Sequence, residues 1–319
     1  MDGANEHPAE APVVVKKKPG RPKKENAVVA VEVHGIVEQP ASPGAMLELI
    51  YRKPELFKKI IHLFKQFSVS EVELIFDETG LRIACQDHLR KSDIQVTIDG
   101  ACMNWYYCRN PPIRLCISRK DLSDVLSVID KTFTDITIML KENYRSTMYL
   151  ILCSTEYKRT LQYEIGVGYR QEDGPGIAGH HDDGEYPLKF KMDTKSFKSL
   201  LSHTKKFDNH IKVQKCGEHP LQFGHNKAQN VNCTGIWDDA VRMDIQSTIA
   251  ANDIFSAAIC IDYIQPFATC ALSDDIYIAA DKEKKMSFTA HLNQYGDRWA
   301  AVVKIYTEIM TVAPPPEIN

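Results

Sequence analysis

A lysine-bearing amphipathic segment that occurs twice is the strongest constraint on this chain. Residues 54–67, PELFKKIIHLFKQF, place Leu56, Phe57, Ile60, Ile61, Phe64 and Phe67 at helical spacing. At about 100° per residue these side chains share one side of a helix. Lys58, Lys59, His62, Lys65 and Gln66 fall on the other side. Residues 194–207, TKSFKSLLSHTKKF, repeat the design 140 positions later. Phe197, Leu200, Leu201 and Phe207 stand at the positions of Phe57, Ile60, Ile61 and Phe67. Lys198, Lys205 and Lys206 stand at those of Lys58, Lys65 and Gln66, and Lys195 precedes them. One such helix reads as an ordinary solvated surface helix. Two, basic on the same face, point to a duplicated module with a cationic surface.

The rest of the chain fits two domains of ordinary size in 319 residues. Hydrophobic residues at 44% and charged ones at 25% match a soluble globular protein. No apolar run approaches the roughly 18 residues of a membrane span, and the opening MDGANEHPAEAP lacks the apolar core of a secretory signal. Nine scattered cysteines without a C-x-x-C pair read as reduced thiols in an intracellular protein. The net charge of -3 hides local clustering, which is what governs binding to polyanions.

Residues 1–44 are rich in Pro, Ala, Glu and Val without a sustained period, and read as a disordered tail. Within it, KKKPGRPKK (residues 16–24) carries six positive charges in nine residues. Its Gly20-Arg21-Pro22 core, with Lys23 and Lys24, resembles an AT-hook, which lays an arginine in the narrow minor groove of A·T-rich DNA. A nuclear-localisation signal or a nonspecific basic arm has the same composition.

Strands are expected at 45–51, 71–76, 81–85, 93–98, 105–108 and 113–117, with the turn Asp77-Glu78-Thr79-Gly80 joining the second and third. Ser118 is positioned to cap a second helix over 119–131, and strands resume at 136–140, 148–153 and 161–167. Residues 171–185, QEDGPGIAGHHDDGE, read as an interdomain linker. Its His180-His181-Asp182-Asp183 run reads as a solvated loop, because adjacent ligands on a flexible loop seldom converge on a metal. The second half repeats the grammar: strands at 186–192, 211–214, 221–223, 231–234, 241–247 and 254–261, a short helix near 262–270, then strands at 275–279, 286–290 and 299–306. The fold class is thus α+β, two strand–helix–strands–helix–strands copies spanning 45–170 and 186–312, with an exposed tail at 313–319.

Catalytic signatures are lacking. Gly166-Val167-Gly168 has neither the third glycine nor the helix of a phosphate loop. There is no G-x-S-x-G, no H-E-x-x-H and no clustered carboxylate pattern of a two-metal nuclease. A binding role without cofactor or metal is the expectation. A nuclease using His180 and Asp182 is a distant rival.

The duplicated module with lysines on each first helix resembles the DNA sliding clamp, proliferating cell nuclear antigen, over about residues 45–310. LFKKIIHLFKQF resembles that family's lysine-bearing first helix, GLRIACQDHLRKSDIQVTI (residues 80–98) its next hairpin, and YPLKFKMDTKSFKSLL (residues 186–201) the start of its second half. The clamp-like proteins of large cytoplasmic eukaryotic DNA viruses are similar in more detail. They pair a GRP-and-lysine tail with sequences like Thr97-Ile98-Asp99-Gly100 and Asn104-Trp105-Tyr106-Tyr107.

The resemblance implies a ring, usually of three subunits, lined inside by helices and walled outside by sheets. It implies a non-enzymatic processivity factor that encircles duplex DNA and tethers a DNA polymerase and other replication or repair proteins. Its place would be at sites of replication, in a host nucleus or a cytoplasmic viral factory. Lys58, Lys59 and Lys65 match DNA-facing lysines of the family, and Lys195, Lys198, Lys205 and Lys206 follow by the repeat. Such contacts hold phosphate without reading bases.

Ring closure in the family pairs edge strands, which here implies Leu161, Tyr163 and Ile165 in one subunit and Val231 and Cys233 in the next. Gln86 and Lys91 replace apolar residues of the family's client pocket, and Ile177 is the linker's remaining apolar anchor; a diverged client motif is expected. The second helices depart too: the first carries Asp124 and Asp130, and no Lys or Arg lies between Arg242 and Lys282. A monomeric clamp-fold transcription or processivity factor that grips DNA without closing a ring is the alternative.

Overall fold

Alternating burial builds the sheets and a one-sided apolar stripe builds each helix. The structure, a computed structural model, describes residues 41–170, 185–217, 219–227, 231–237, 243–281, 286–295 and 298–310. The basic tail with Arg21, Lys23 and Lys24, and the linker with Ile177 and His180–Asp183, lie outside the described residues.

The first half runs β1 (Ala45–Arg52), α1 (Glu55–Gln66), β2 (Glu71–Asp77), β3 (Gly80–Gln86), β4 (Ser92–Asp99), β5 (Trp105–Cys108), β6 (Ile113–Ser118) and α2 (Arg119–Ser127). It closes with β7 (Asp135–Lys141), β8 (Thr147–Ser154), β9 (Arg159–Gly166) and β10 (Gly168–Tyr169). The second half runs β11 (Leu188–Asp193), α3 (Thr194–Thr204), β12 (His210–Cys216), β13 (Leu221–Lys227), β14 (Val231–Trp237), β15 (Gln246–Ser247) and β16 (Ile254–Cys260). It ends with α4 (Gln265–Cys270), β17 (Asp275–Ala280), β18 (Met286–Tyr295), β19 (Arg298–Thr307) and β20 (Ile309–Met310).

Three antiparallel sheets result. One is ordered β5-β1-β7-β8-β9, another β14-β13-β12-β16-β20. The third is ten strands wide, β10-β6-β2-β3-β4-β19-β18-β17-β11-β15, and draws half its strands from each half of the chain. Its central joint pairs β4 with β19 from Thr307↔Ser92 to Ala301↔Ile98. Ile94, Val96, Ile98, Val303 and Ile305 are fully buried there. The helices lie in a row: α1 packs against α2 on one side and α4 on the other, and α4 packs against α3.

Local chemistry explains where each helix starts and stops. Glu55 sits in the first turn of α1 and Lys65 in its last, both favourable to the helix dipole. Leu56, Phe57, Ile60, Ile61, Leu63 and Phe64 are buried, each contributing about 1.5–3 kcal/mol of apolar burial. The Ser118 hydroxyl accepts from the Asp121 N–H at 3.4 Å to start α2, as expected. The Asp193 carboxylate does the same for α3, taking the Ser196 N–H at 2.8 Å. Pro266 opens α4 and Ala271, left-handed at φ +45°, ends it.

Several boundaries differ from expectation. α2 stops at Ser127 rather than continuing to 131, and α3 at Thr204, with 205–207 forming a terminal turn. The expected strand 241–247 is reduced, among the described residues, to Gln246–Ser247. Asp244 takes a left-handed φ of +41°, which breaks an extended path.

The β2–β3 turn is built as its sequence suggests. One Asp77 carboxylate oxygen accepts the Thr79 N–H at 2.8 Å and the Thr79 hydroxyl at 2.6 Å; the other takes Arg82 Nε at 2.8 Å. Burial opposes ionisation of Asp77, but these bonds outweigh it and hold the carboxyl below its usual range. The Tyr106 hydroxyl, from edge strand β5, donates to the Asp77 and Gly80 carbonyls. Gly80 has φ +143°, and a Cβ there would meet the Ile98 carbonyl oxygen at 2.3 Å. Gly80→Ala should therefore destabilise the fold by about 2–3 kcal/mol, read as a lower urea midpoint at unchanged slope.

Candidate nucleic-acid interface

The polar face of the helix row carries the lysines of both repeats. Lys58, Lys59 and Lys65 of α1, Lys195 and Lys198 of α3, and Lys205 and Lys206 just after it are all exposed. They divide into two groups by what their ammonium groups touch.

Lys58 and Lys205 fasten helices together. Lys58 Nζ donates to the Ile129 carbonyl at 2.5 Å and the Ser127 carbonyl at 3.4 Å. It thereby supplies a cation to the C-terminal end of α2, where the last carbonyls point outward. Lys205 Nζ donates to Asp262 Oδ1 at 2.7 Å and Gln265 Oε1 at 2.5 Å, linking the end of α3 to the start of α4. Asn209 Nδ2 donates to the other Asp262 oxygen at 2.6 Å. The Lys205 and Asn209 bonds hold the Asp262 carboxyl below its usual range.

Lys59, Lys65, Lys195, Lys198 and Lys206 make no hydrogen bond or ion pair among the described residues. Their charge is available to a polyanion. The companion helices add little: α2 exposes Asp121 and Asp124 beside Lys120, and α4, QPFATC, has no cation. Asp130 is exposed and accepts from Thr132. A cavity of about 490 Å³ opens between the row's members, lined by Glu55, Lys58, Lys59, His62, Ile129 and Cys270 among others. Burial pushes the Cys270 thiol up to about 11, so it is protonated there near neutrality.

The expected strand-edge residues occupy sheet edges. β9, with Leu161, Tyr163 and Ile165, borders one five-stranded sheet, and β14, with Val231 and Cys233, borders the other. Leu161 and Tyr163 are half-buried against the core while Ile165 is buried.

Gln86 and Lys91 are held within the fold. Gln86 Nε2 donates to Asp93 Oδ1 at 2.8 Å, and Lys91 Nζ pairs with Glu308 Oε2 at 2.7 Å. The hydrogen bond that Lys91 donates to Glu308 raises the Lys91 pKa. Between them, the buried Asp87 carboxylate accepts the Leu89, Lys91 and Ser92 N–H groups and leaves Leu89 at the loop tip, 54% exposed. Among the described residues no group of three or more His, Cys, Asp or Glu is arranged to hold a metal ion, and no helix is long and apolar enough to cross a membrane.

Sequence reading missed a cluster of aromatic residues, Tyr277, His291 and Trp299, that meets Lys59 across a second cavity. These residues come from three strands of the second half and carry no local motif; only their pairing in the sheet brings them together.

The pH dependence of the α3–α4 link follows in sign from Asp262. Its folded pKa is lowered, so its contribution is present above the normal carboxylate range and is lost as pH falls through the folded value. Asp262→Asn should be less stable than the parent at pH 7, with the difference vanishing in acid below the folded pKa. Thermal melts at pH 7 and below pH 3 check this.

Comparison with known proteins agrees with this architecture. Residues 46–171 match the family model for the proliferating cell nuclear antigen N-terminal domain. An uncharacterized protein of African swine fever virus, isolate Tick/Malawi/Lil 20-1/1983, is 25% identical over 285 residues, covering 88% of this chain and 94% of the relative. Its counterpart from isolate Pig/Kenya/KEN-50/1950 is 24% identical over the same length. Among solved structures, the proliferating cellular nuclear antigen of Entamoeba histolytica superposes with a TM-score of 0.66 at 15% identity, covering 83% of this chain and 99% of that one. The helix row, the shared ten-stranded sheet and these matches together show a clamp fold like that of proliferating cell nuclear antigen, with residues 46–171 similar to that family's N-terminal domain.

Proposed function

We propose that this protein is a DNA polymerase processivity factor, a non-enzymatic sliding clamp of three identical subunits around duplex DNA. It works inside the cell at sites of DNA replication and tethers a polymerase and other replication or repair proteins. The observation that carries this reading is the internal repeat of the strand joint. Ile138, Leu150 and Tyr163 lie across adjacent strands of the first half as Ile278, Phe288 and Ile305 do in the second. Leu74, Ile83 and Val96 likewise match Val213, Phe223 and Gly235. β9 is thus the counterpart of β19, and β14 that of β4.

Inside the chain β19 is paired with β4, whereas β9 and β14 are left as edges. Val303 and Ile305 are fully buried by that pairing, while their counterparts Leu161 and Tyr163 are only half-buried. A second copy supplying β14 to β9 would cover them and remove two open edges. Because Val303 faces Val96 in the internal joint, Leu161 is expected to face Gly235 of the neighbouring subunit. Repeating both joints closes a ring.

The helix rows then line the hole. Lys59, Lys65, Lys195, Lys198 and Lys206 contact phosphates there, and nonspecific contacts of this kind retain DNA without creating a base-specific trap that would stop sliding. Lys58 and Lys205 add field from fixed positions. The tail with Arg21, Lys23 and Lys24 adds a second grip. Clients dock near Gln86 and Lys91 with Ile177 as apolar anchor, through a motif diverged from the family's own because Lys91 is committed to Glu308.

Two experiments test this. The double variant Leu161→Cys, Gly235→Cys should give covalent dimers and trimers on mild oxidation, and the unmodified protein should run as a trimer by light scattering after size exclusion. A monomer at micromolar concentration with no crosslink would instead support the ringless alternative. Changing Lys59, Lys65, Lys198 and Lys206 to Ala should weaken retention on circular duplex DNA and flatten its salt dependence, by about 0.9 in log–log slope for each phosphate no longer neutralised. Unchanged retention and slope would sink the lysine assignment.

A further inference from the structure

A second cavity, of about 410 Å³, sits where α1 of the first half meets the second half. Its lining includes Lys59, Leu272, Asp274, Tyr277, His291 and Trp299. The volume falls in the range of small-ligand sites, which join an apolar or aromatic lining to a few placed polar groups. The His291 ring stacks on Trp299 at 5.1 Å with a 23° tilt and meets Tyr277 edge-to-face at 4.9 Å. Trp299 and Tyr277 nonetheless remain 39% exposed each. Two large aromatic rings are thus held half in water, Trp299 stacked on His291 and Tyr277 with the Lys191 ammonium 5.9 Å from its ring centroid.

The polar groups narrow the class of ligand. His291 Nδ1 is buried and has no hydrogen-bond partner among the described residues. Burial, aided by Lys304, lowers the His291 pKa, so the ring is neutral at pH 7, with one ring nitrogen a donor and the other an acceptor. Asp275 is occupied by Lys191 at 2.7 Å. Asp274 is exposed and makes no ion pair among the described residues. Lys59 brings one unpaired cation from the basic face of α1. The cavity thus combines stacking rings, edge hydrogen-bonding groups and a single ammonium. A flat, mostly neutral heterocycle carrying one anionic group complements it. A free arginine side chain would gain Asp274 but would face Lys59.

We propose that this cavity is a nucleobase pocket, in which an unpaired nucleotide of single-stranded DNA stacks on the Trp299–His291–Tyr277 cluster and sets its phosphate against Lys59. Base–aromatic stacking tolerates any sequence, and alanine substitution of such rings commonly costs about 1–3 kcal/mol per base. The lysine that leads into the pocket lies on the face proposed to line the duplex channel, so an unpaired nucleotide beside the duplex would be within the same surface. The inference uses that reading for the source of the nucleotide and does not depend on ring closure.

The full chain labelled with 5-fluorotryptophan gives one fluorine resonance for each of its three tryptophans, and Trp299→Phe assigns the relevant one. A thymidine trinucleotide should shift the Trp299 signal and leave those of Trp105 and Trp237 in place, while a trimer of the same phosphates with abasic sugars should not. Lys59→Ala should weaken the titration several-fold, and His291→Phe should weaken it for the trinucleotide at unchanged melting temperature. Trp299→Phe should retain circular duplex DNA as the parent does, so loss of the duplex reading and loss of this one are separable. No shift at millimolar trinucleotide, an equal shift from the abasic trimer, or a shift from an arginine tripeptide alone would each overturn the proposal.

Discussion

The antiparallel joint between β4 and β19 is the interaction on which the rest of this structure depends. Seven consecutive residue pairs tie strands more than 200 residues apart in sequence, and Ile94, Val96, Ile98, Val303 and Ile305 are fully enclosed between them. The joint turns two half-sheets into one of ten strands. It also brings α4 alongside α1, so the four helices among the described residues form a single row instead of two separate pairs. Both cavities owe their shape to this placement, since each is lined by Lys59 from one half and Leu272 from the other.

Much of this was legible from the sequence because the periodicities are strong. The stripe from Leu56 to Phe67 is buried and Lys58, Lys59 and Lys65 are exposed, as a helical period requires. The Asp77–Gly80 turn and the Ser118 cap follow from side chains that bond their own neighbouring backbone, a local property that sequence carries well. Among the described residues the strand expected at 241–247 shrinks to Gln246–Ser247, because alternation at Met243 and Ile245 gives no sign of the left-handed Asp244.

Long-range chemistry was less visible. Nothing near Lys58 announces that its ammonium will cap α2, and nothing near Lys205 announces Asp262, more than 50 residues on. Seven lysines read as one equivalent face; among the described residues they are two fasteners and five charges without an ion pair. The Tyr277–His291–Trp299 cluster illustrates the same limit. Its members are unremarkable strand residues until β17, β18 and β19 are laid side by side, where Tyr277 and Trp299 both meet the His291 ring.

The β4–β19 joint also has a mechanical meaning. It is backed by helix packing between α1 and α4 and by the Lys91–Glu308 pair just beyond its end. Any closed assembly built from this chain would therefore alternate two kinds of seam of similar strand geometry but unequal reinforcement. Those within a subunit have covalent continuity behind them, whereas those between subunits rely on contact alone. Strain applied to such a hoop would concentrate at the seams between copies, making them the hinges at which it opens.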